Sequence, residues 1–322
     1  MTDRPNRPRY ATRLNAFKTG KSGIADMIAR AGSVGGLDAA DLNFPDHFET
    51  HSPSELADLL GVQGMALNGL AMRYYSDPGF RLGALTHPDA RVRQAAIDVT
   101  RAGMDALAAM GGKTLTIWLG QDGFDTSFQC DYARMWDDTL QGLAVICDHD
   151  RSIDISIEYK PNEPRAFALM PDMATTLLAL GELNRPNTGV TLDFAHMLYA
   201  GEMPAKAAML AARHSRILGV HLNDGYGKRD DGLMAGTVHP IQTVELFVAL
   251  NRAGYDGVIY FDTFPDHAGL DPVAESRANI RLTDRLRAVA EALTHDPDLA
   301  AATARQDAAA SMRIVAQALY GA

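Results

Sequence analysis

Apolar residues fall into two alternating patterns along the chain. Short apolar runs recur at 12–17, 37–44, 65–72, 113–119, 154–159, 189–194, 217–222 and 257–261. Several are apolar at nearly every position, as strands buried on both faces should be. Between them lie segments with helical periodicity, at 22–31, 52–60, 88–110, 132–148, 171–183, 204–214 and 240–253. Pro or Ser/Asp opens most of these, and Gly61, Gly112 and Gly254 stand where helices should stop. Eight strand–helix units predict an α/β protein built as a (β/α)8 TIM barrel. A doubly wound sheet would need a glycine-rich phosphate turn after an early strand. No G-x-G-x-x-G is present, and Gly35-Gly36 precedes its strand.

The expected division is a barrel over 1–270, including a short N-terminal lead, and a helical C-terminal extension over 271–322. The extension is helical in pattern from Pro272 to about Leu293 and Ala-rich beyond. It is the segment best placed to reach a neighbouring subunit.

Charge narrows the partners. The 322 residues carry 30 Lys+Arg against 40 Asp+Glu, a net −10, and 47% are hydrophobic. Disorder is excluded, and a dispersed basic minority argues against nucleic acid or a membrane surface as partner. Divalent cations and neutral polyols fit better. The polar start, 1–10, lacks the apolar core of a signal peptide, and no apolar stretch reaches the roughly 18 residues of a membrane span. Cys130 and Cys147 have no metal-site spacing, so a reduced, cytoplasmic protein is expected.

In a barrel, polar side chains at the C-terminal ends of buried strands point into the active-site mouth. The fifth strand ends in Ile157-Glu158-Tyr159-Lys160, the sixth in Leu192-Asp193-Phe194-Ala195-His196, the seventh in Val220-His221-Leu222-Asn223-Asp224 and the eighth in Phe261-Asp262. Glu158, Asp193, His221 and Asp262 thus converge from four consecutive strands. Like charges in such proximity raise one another's pKa unless a counter-ion resolves them. Carboxylates with one imidazole suit Mn²⁺ first, with Mg²⁺ or Co²⁺ as alternatives, and no cysteine joins the group. His196, three residues beyond Asp193, faces the same cavity in this reading. Asp230 and Asp231, in a loop after the seventh strand, are candidate ligands of a second ion that Asp193 would bridge. One or two ions per chain are therefore expected.

The run Glu158-Tyr159-Lys160-Pro161-Asn162-Glu163-Pro164-Arg165 closely resembles the E-P-K-P-N-E-P-R motif of D-xylose isomerases, with Tyr159 in place of a proline. Trp118-Leu119-Gly120-Gln121-Asp122-Gly123 is similar to that family's W-G-G-R-E-G, the Asp193–His196 segment to its V-E-x-x-H, His221-Leu222-Asn223 to D-L-N, and Phe261-Asp262 to its final F-D. The chain is identified as a member of the xylose-isomerase-like TIM-barrel superfamily.

This resemblance implies a first metal held by Glu158, Asp193, His221 and Asp262. It implies a second held by Asp193, His196 and one or both of Asp230 and Asp231. Lys160 would bond the substrate's carbonyl end, Trp118 would wall the sugar carbons, and Glu163 belongs with the substrate-binding residues. Glu158, Lys160 and Asp262 are the expected catalytic group. Aspartate at 193 and histidine at 221 bring the ligand pattern closer to L-rhamnose-isomerase-like and ketose-3-epimerase-like branches. The ring-opening histidine after the second strand is missing, and Asn43 or His47 would take its place.

The leading expectation is a metal-dependent isomerase that interconverts an aldose and a ketose by moving hydrogen between C1 and C2. The alternatives are a lyase or dehydratase acting on an oxidised sugar, and a ketose 3-epimerase. Loops after the first three strands, around Lys18, Asn43 and Arg73–Arg81, would choose the sugar, with Arg73 and Arg81 as candidates for a charged group. Relatives of this kind imply a homodimer or homotetramer.

Overall fold

The computed structural model describes residues 10–321; the polar lead over 1–9 and the last residue lie outside the described residues. Eight parallel strands close into a barrel: β1 Tyr10–Arg13, β2 Ala39–Phe44, β3 Ala66–Met72, β4 Thr114–Trp118, β5 Asp154–Glu158, β6 Thr188–Asp193, β7 Ile217–Leu222 and β8 Ile259–Phe261. Each pairs with its sequence neighbours, and β8 closes on β1 through Tyr10–Ile259 and Thr12–Phe261. A two-stranded antiparallel ribbon, Gly123–Phe124 with Phe167–Ala168, sits over the loops after β4 and β5.

Seven of the predicted runs coincide with strands, while the first is displaced. The expected strand over 12–17 ends at Arg13, and Leu14–Phe17 winds into a 3-10 turn that buries Leu14, Ala16 and Phe17. Both conformations bury an apolar run this short, so its pattern does not distinguish them. The shift matters because it makes Arg13 the last residue of β1, at the rim of the mouth.

Aspartate opens many helices. Asp89, Asp131, Asp172 and Asp271 each accept a backbone N–H of the first turn, and Ser52 with Glu55 forms a reciprocal capping box. Gly254 ends the helix Pro240–Ala253 in the left-handed region, as its position predicts. Gly61 instead lies inside the helix Pro53–Val62.

The expected boundary at 270/271 falls before the helix that completes the barrel wall. Pro272–Thr294 sends Leu286, Ala290 and Leu293 into the main core. It is further tied by Asn279 Oδ1 accepting from the Ala235 amide at 2.9 Å, and by Tyr10 donating its hydroxyl to Asp284 at 2.7 Å. Beyond it, Pro297–Ala304 buries Leu299 and Ala302, and Ala308–Tyr320 fully buries nothing. Among the described residues no helix is long and apolar enough to cross a membrane. Both cysteines are free; burial pushes the Cys147 thiol up to about 12, which suits an inert core residue.

These burial differences separate two truncations. Removing 307–322 should leave a cooperative fold whose melting temperature drops by about 2–4 °C, the effect of roughly 1 kcal/mol in a domain of this size. Removing 271–322 should leave no cooperative transition at all. Calorimetric melts of the two shortened chains test this.

Candidate active site and metal centre

Strand register builds the site. Trp118 pairs with Glu158 across β4 and β5, and Asp193 pairs with His221 across β6 and β7, so four polar residues reach the same rim. One ligand atom from each of Glu158, Asp193, His221 and Asp262 lies within 4.8 Å of the others. All four are sequence-predicted, and their backbone positions on rigid strands leave little freedom to spread apart.

The chain partly compensates this charge itself. His221 Nδ1 is 3.3 Å from Glu158 Oε1 and 3.9 Å from Asp193 Oδ2. His196 Nδ1 is 3.6 Å from Glu158 Oε1 and 3.9 Å from Asp193 Oδ1, so Asp193 stands between the two imidazoles. Burial works against protonation of both histidines, but the carboxylates outweigh it: chiefly Asp193 and Asp230 lift His196 to about 9, and chiefly Glu158 lifts His221 to about 10. Burial, with Asp230, Glu158 and Asp262 adding to it, raises Asp193 to about 7 against the pull of His196. Asn223 holds that carboxylate in place, donating its Nδ2 to Asp193 Oδ1 and Oδ2 at 3.2 and 3.1 Å, while its Oδ1 accepts from the Ala195 amide. Asp193 also caps the short helix Phe194–Tyr199 by accepting from the His196 amide at 2.9 Å, which is how this strand end presents His196 one turn later.

A second donor set adjoins the first. His196 Nδ1 lies 3.0 Å from the Tyr159 carbonyl and donates to it, which turns Nε2 toward Asp230 Oδ2 at 3.2 Å. Lys160 Nζ is 3.2 Å from that same oxygen and 2.9 Å from Glu163 Oε2. Asp230 stays ionised well below the usual carboxylate range because His196 and Lys160 outweigh its burial. Its other oxygen, Oδ1, is buried and has no hydrogen-bond partner among the described residues. An orphaned carboxylate oxygen beside an oriented imidazole and a shared aspartate fits a divalent cation by donor chemistry, as does the tetrad.

The structure separates the two adjacent aspartates. Asp231 accepts from the Tyr226 amide at 2.8 Å and from Arg229 Nε at 2.7 Å, and it borders an outer groove rather than the mouth. It braces its own loop, and of the two only Asp230 faces the mouth.

The mouth is a cavity of about 340 Å³ lined by Asn43, Trp118, Glu158, Lys160, His196, His221, Asp230 and Asp262 among others. Trp118 meets Tyr75 edge-on at 5.1 Å and carries the Lys160 ammonium over its ring at 5.2 Å. Asn43 faces the cavity, but His47 does not. The His47 ring is buried behind the strand, its Nδ1 accepting from the Asn43 amide at 3.0 Å and its Nε2 donating to Asn15 at 2.8 Å. Burial, reinforced by Arg73, pushes His47 down to about 3, so it is a neutral strut for Asn43 and has no free nitrogen for substrate. Glu163 stands outside the lining and acts on the site through Lys160.

The lining residues that escape the strand-end reading include Arg13, Tyr75, Thr116, Tyr260, Phe264 and His267. Arg13 was hidden by the misplaced end of β1. Tyr260 packs against His221 with ring centroids 4.3 Å apart and planes tilted by 38°, and it is apolar enough to read as core. Below the mouth, Asp41 accepts from Asn68 at 2.6 Å and borders a small internal pocket that His221 also lines. Burial raises Asp41 to about 7.

The family model described as xylose isomerase-like TIM barrel matches residues 29–286. The xylose isomerase of Thermus thermophilus is 28% identical over 250 residues, covering 74% of this chain and 64% of that enzyme. The xylose isomerase of Thermus caldophilus is 29% identical over 264 residues, covering 78% and 68%. The chain thus spans about two-thirds of the length of these relatives. Among solved structures, a D-tagatose 3-epimerase-like protein superposes with a TM-score of 0.69 at 17% identity, covering 86% of this chain and 98% of that one. An L-ribulose 3-epimerase gives 0.68 at 16%, covering 90% and 100%. At such identities the likeness is one of fold.

The raised groups predict how the metal-free chain responds to pH. His196, His221, Asp193 and Asp41 all favour protonation more when folded than when unfolded. Their contribution is complete below the unfolded values, 3.8 for the aspartates and 6.5 for the histidines, and is lost as pH rises through about 7 to 10. EDTA-treated protein should therefore melt at a lower temperature at pH 9.5 than at pH 6. Mn²⁺ at a hundred times its Kd should restore about 2.7 kcal/mol. Unchanged melting across that range, with or without Mn²⁺, would remove the ion from this site.

Proposed function

Because the chain belongs to the xylose isomerase-like TIM-barrel family, we propose that it is a divalent-metal-dependent sugar isomerase interconverting an aldose and a ketose by hydrogen transfer between C1 and C2. The observation that carries this reading is the second donor set, His196 and Asp230, built against the first through Asp193. Glu158, Asp193, His221 and Asp262 would hold one ion, and Asp193, His196 and Asp230 another, with Mn²⁺ preferred and Mg²⁺ or Co²⁺ as alternatives. Bound there, the ions supply Lewis acidity to the two neighbouring oxygens and a more acidic water at neutral pH.

The side chains supply the rest. Lys160 remains protonated, because Asp230 and Glu163 outweigh the burial that opposes its charge. It can therefore donate a hydrogen bond to the substrate oxygen on which negative charge develops, and it sits where Trp118 keeps its far side dry. Trp118 and Tyr75 present an edge-to-face apolar wall to the C–H faces of the sugar. Asn43 offers both a donor and an acceptor for hydroxyls, locked from behind by His47. Asn223 and Tyr260 keep Asp193 and His221 aimed. A cytoplasmic homodimer or homotetramer completes the reading, and sizing the native protein tests the assembly.

Ketose 3-epimerisation is the second reading, and one observation favours it. Glu158 and Asp262 project into the mouth from strands that β6 and β7 separate, so they can exchange a proton on opposite faces of one carbon. The shorter reach of Asp262 and the second donor set favour the isomerase.

Turnover in D2O separates the two. Transfer of hydrogen within the substrate leaves the aldose–ketose product free of solvent deuterium, whereas a carboxylate relay places deuterium at C3. Glu158→Gln should abolish turnover while the chain stays folded, Lys160→Met should lower kcat by about 10²–10³, and Asp230→Asn should halve the bound Mn²⁺. Full activity of Glu158→Gln, or unchanged metal content in Asp230→Asn, would overturn the corresponding assignment.

A further inference from the structure

The cavity has two electrically opposite sides. The acids and histidines already described come from β5 to β8 and the loop after β7. Two arginines line the same space: Arg13 at the end of β1, which adjoins β8, and Arg73 immediately after β3, on the opposite side of the barrel from β7. The chain's own carboxylates answer Arg13, which donates to Asp266 at 3.0 Å and lies 3.9 Å from Asp262. Arg73 is far less satisfied. Its nearest carboxylate, Asp46, is 3.9 Å away and already accepts from Ser76 Oγ at 2.9 Å. Its Nε is buried and makes no hydrogen bond among the described residues. Its guanidinium lies over the Tyr75 ring at 4.2 Å, which fixes the plane. Burial pushes its pKa down, Asp46 partly offsets that, and Arg13 pushes it down further.

A guanidinium kept charged and half-desolvated at such cost, with its plane held by an aromatic face, has its in-plane N–H groups available for a planar or tetrahedral anion. A neutral hydroxyl needs no such group. The neutral face of the same mouth already provides Asn43, Thr116 and Trp118.

We propose that the sugar taken by this site carries a carboxylate or a phosphate at the end remote from its reacting carbons, and that Arg73 is the residue that selects it, with Arg13 reinforcing the positive field. This rests on the isomerase reading for which end reacts. A cavity of about 340 Å³ with a cation-binding pole and an anion-binding pole orients such a substrate in one direction only.

Two measurements test the proposal. In the first, the Mn²⁺-loaded protein is offered sets that differ only at C6, namely glucose, glucuronate and glucose 6-phosphate, with the galacto and manno equivalents. In the second, calorimetry on the same protein compares glucitol with L-gulonate and with glucitol 6-phosphate. The anionic member should bind about tenfold or more tightly than its neutral counterpart, the range of a hydrogen-bonded charge, and the better of the two anions identifies the group. Arg73→Gln should collapse that ratio to near one, and Arg73→Lys should leave an intermediate value. Arg81→Gln, an exposed arginine outside the cavity lining, should keep the full ratio. Equal binding of neutral and anionic members, or an anionic preference that survives in Arg73→Gln, overturns the proposal. An Arg73-dependent preference without isomerisation of any sugar would defeat the isomerase reading and leave this one standing.

Discussion

The constraint on which the structure turns is the mutual repulsion of four buried or half-buried acids. Glu158, Asp193, Asp230 and Asp262 are brought to one end of the barrel by strand register and one loop; Glu158 and Asp193 end their strands and Asp262 directly follows its own, so these three cannot move apart without breaking the barrel. Several groups around them are cationic or made so. His196 and His221 are lifted above their ordinary range, Lys160 stays charged against Asp230, and Arg13 faces Asp262. These compensations are incomplete, as the unpartnered Asp230 Oδ1 shows. A divalent ion bound among these groups would complete the compensation in place of the histidine protons.

Division of labour around the barrel follows from this. The strand ends β5 to β8 carry the groups that need fixed geometry, and each is tied behind: His196 by the Tyr159 carbonyl, Asp193 by Asn223, His221 by Tyr260. The rest of the cavity wall comes from β1 to β4 and the turns after them, where Arg13, Asn43, Arg73, Tyr75 and Trp118 stand. Changes in those turns reshape that wall without touching the acid cluster, which is how one barrel scaffold can serve several chemistries.

How much of this was legible in the sequence depends on how directly spacing translates into direction. Along a buried strand, the polar residue at the end has one way to point, so Glu158, Asp193, His221 and Asp262 were readable from position alone. His196 was readable because a helix begins at the strand end and three residues make nearly one turn. Loops lack that rule. Asp230 and Asp231 are adjacent and chemically identical, yet only the fold of the turn through Tyr226 and Arg229 decides which faces the mouth. His47 failed for a related reason. Its distance from β2 is right, but the 3-10 turn Asp46–Phe48 points the ring backward under Asn43. The C-terminal helix was read as an extension because a helix that closes a barrel and a helix appended to one have the same periodicity. Leu286, Ala290 and Leu293, buried in the common core, show how closely it packs on the barrel.

Arg13 shows how one such error propagates into chemistry. An apolar run ending at Phe17 placed the rim four residues too late and made an arginine at the mouth look like an arginine within a strand. Once β1 is seen to stop at Arg13, its register partner on one side is Asp41, and its charge is shared with Asp262 and Asp266 after the adjoining strand β8 on the other. Arg13 therefore has a structural counter-charge, whereas Arg73 retains a surplus in a site otherwise dominated by acids. A surplus cation held partly out of water on the wall opposite an acid cluster cannot lower the energy of that cluster at a distance as well as a contact would. A negative group on a bound molecule would give it a nearer partner than Asp46, and among the described residues lining the cavity the one further arginine is Arg13.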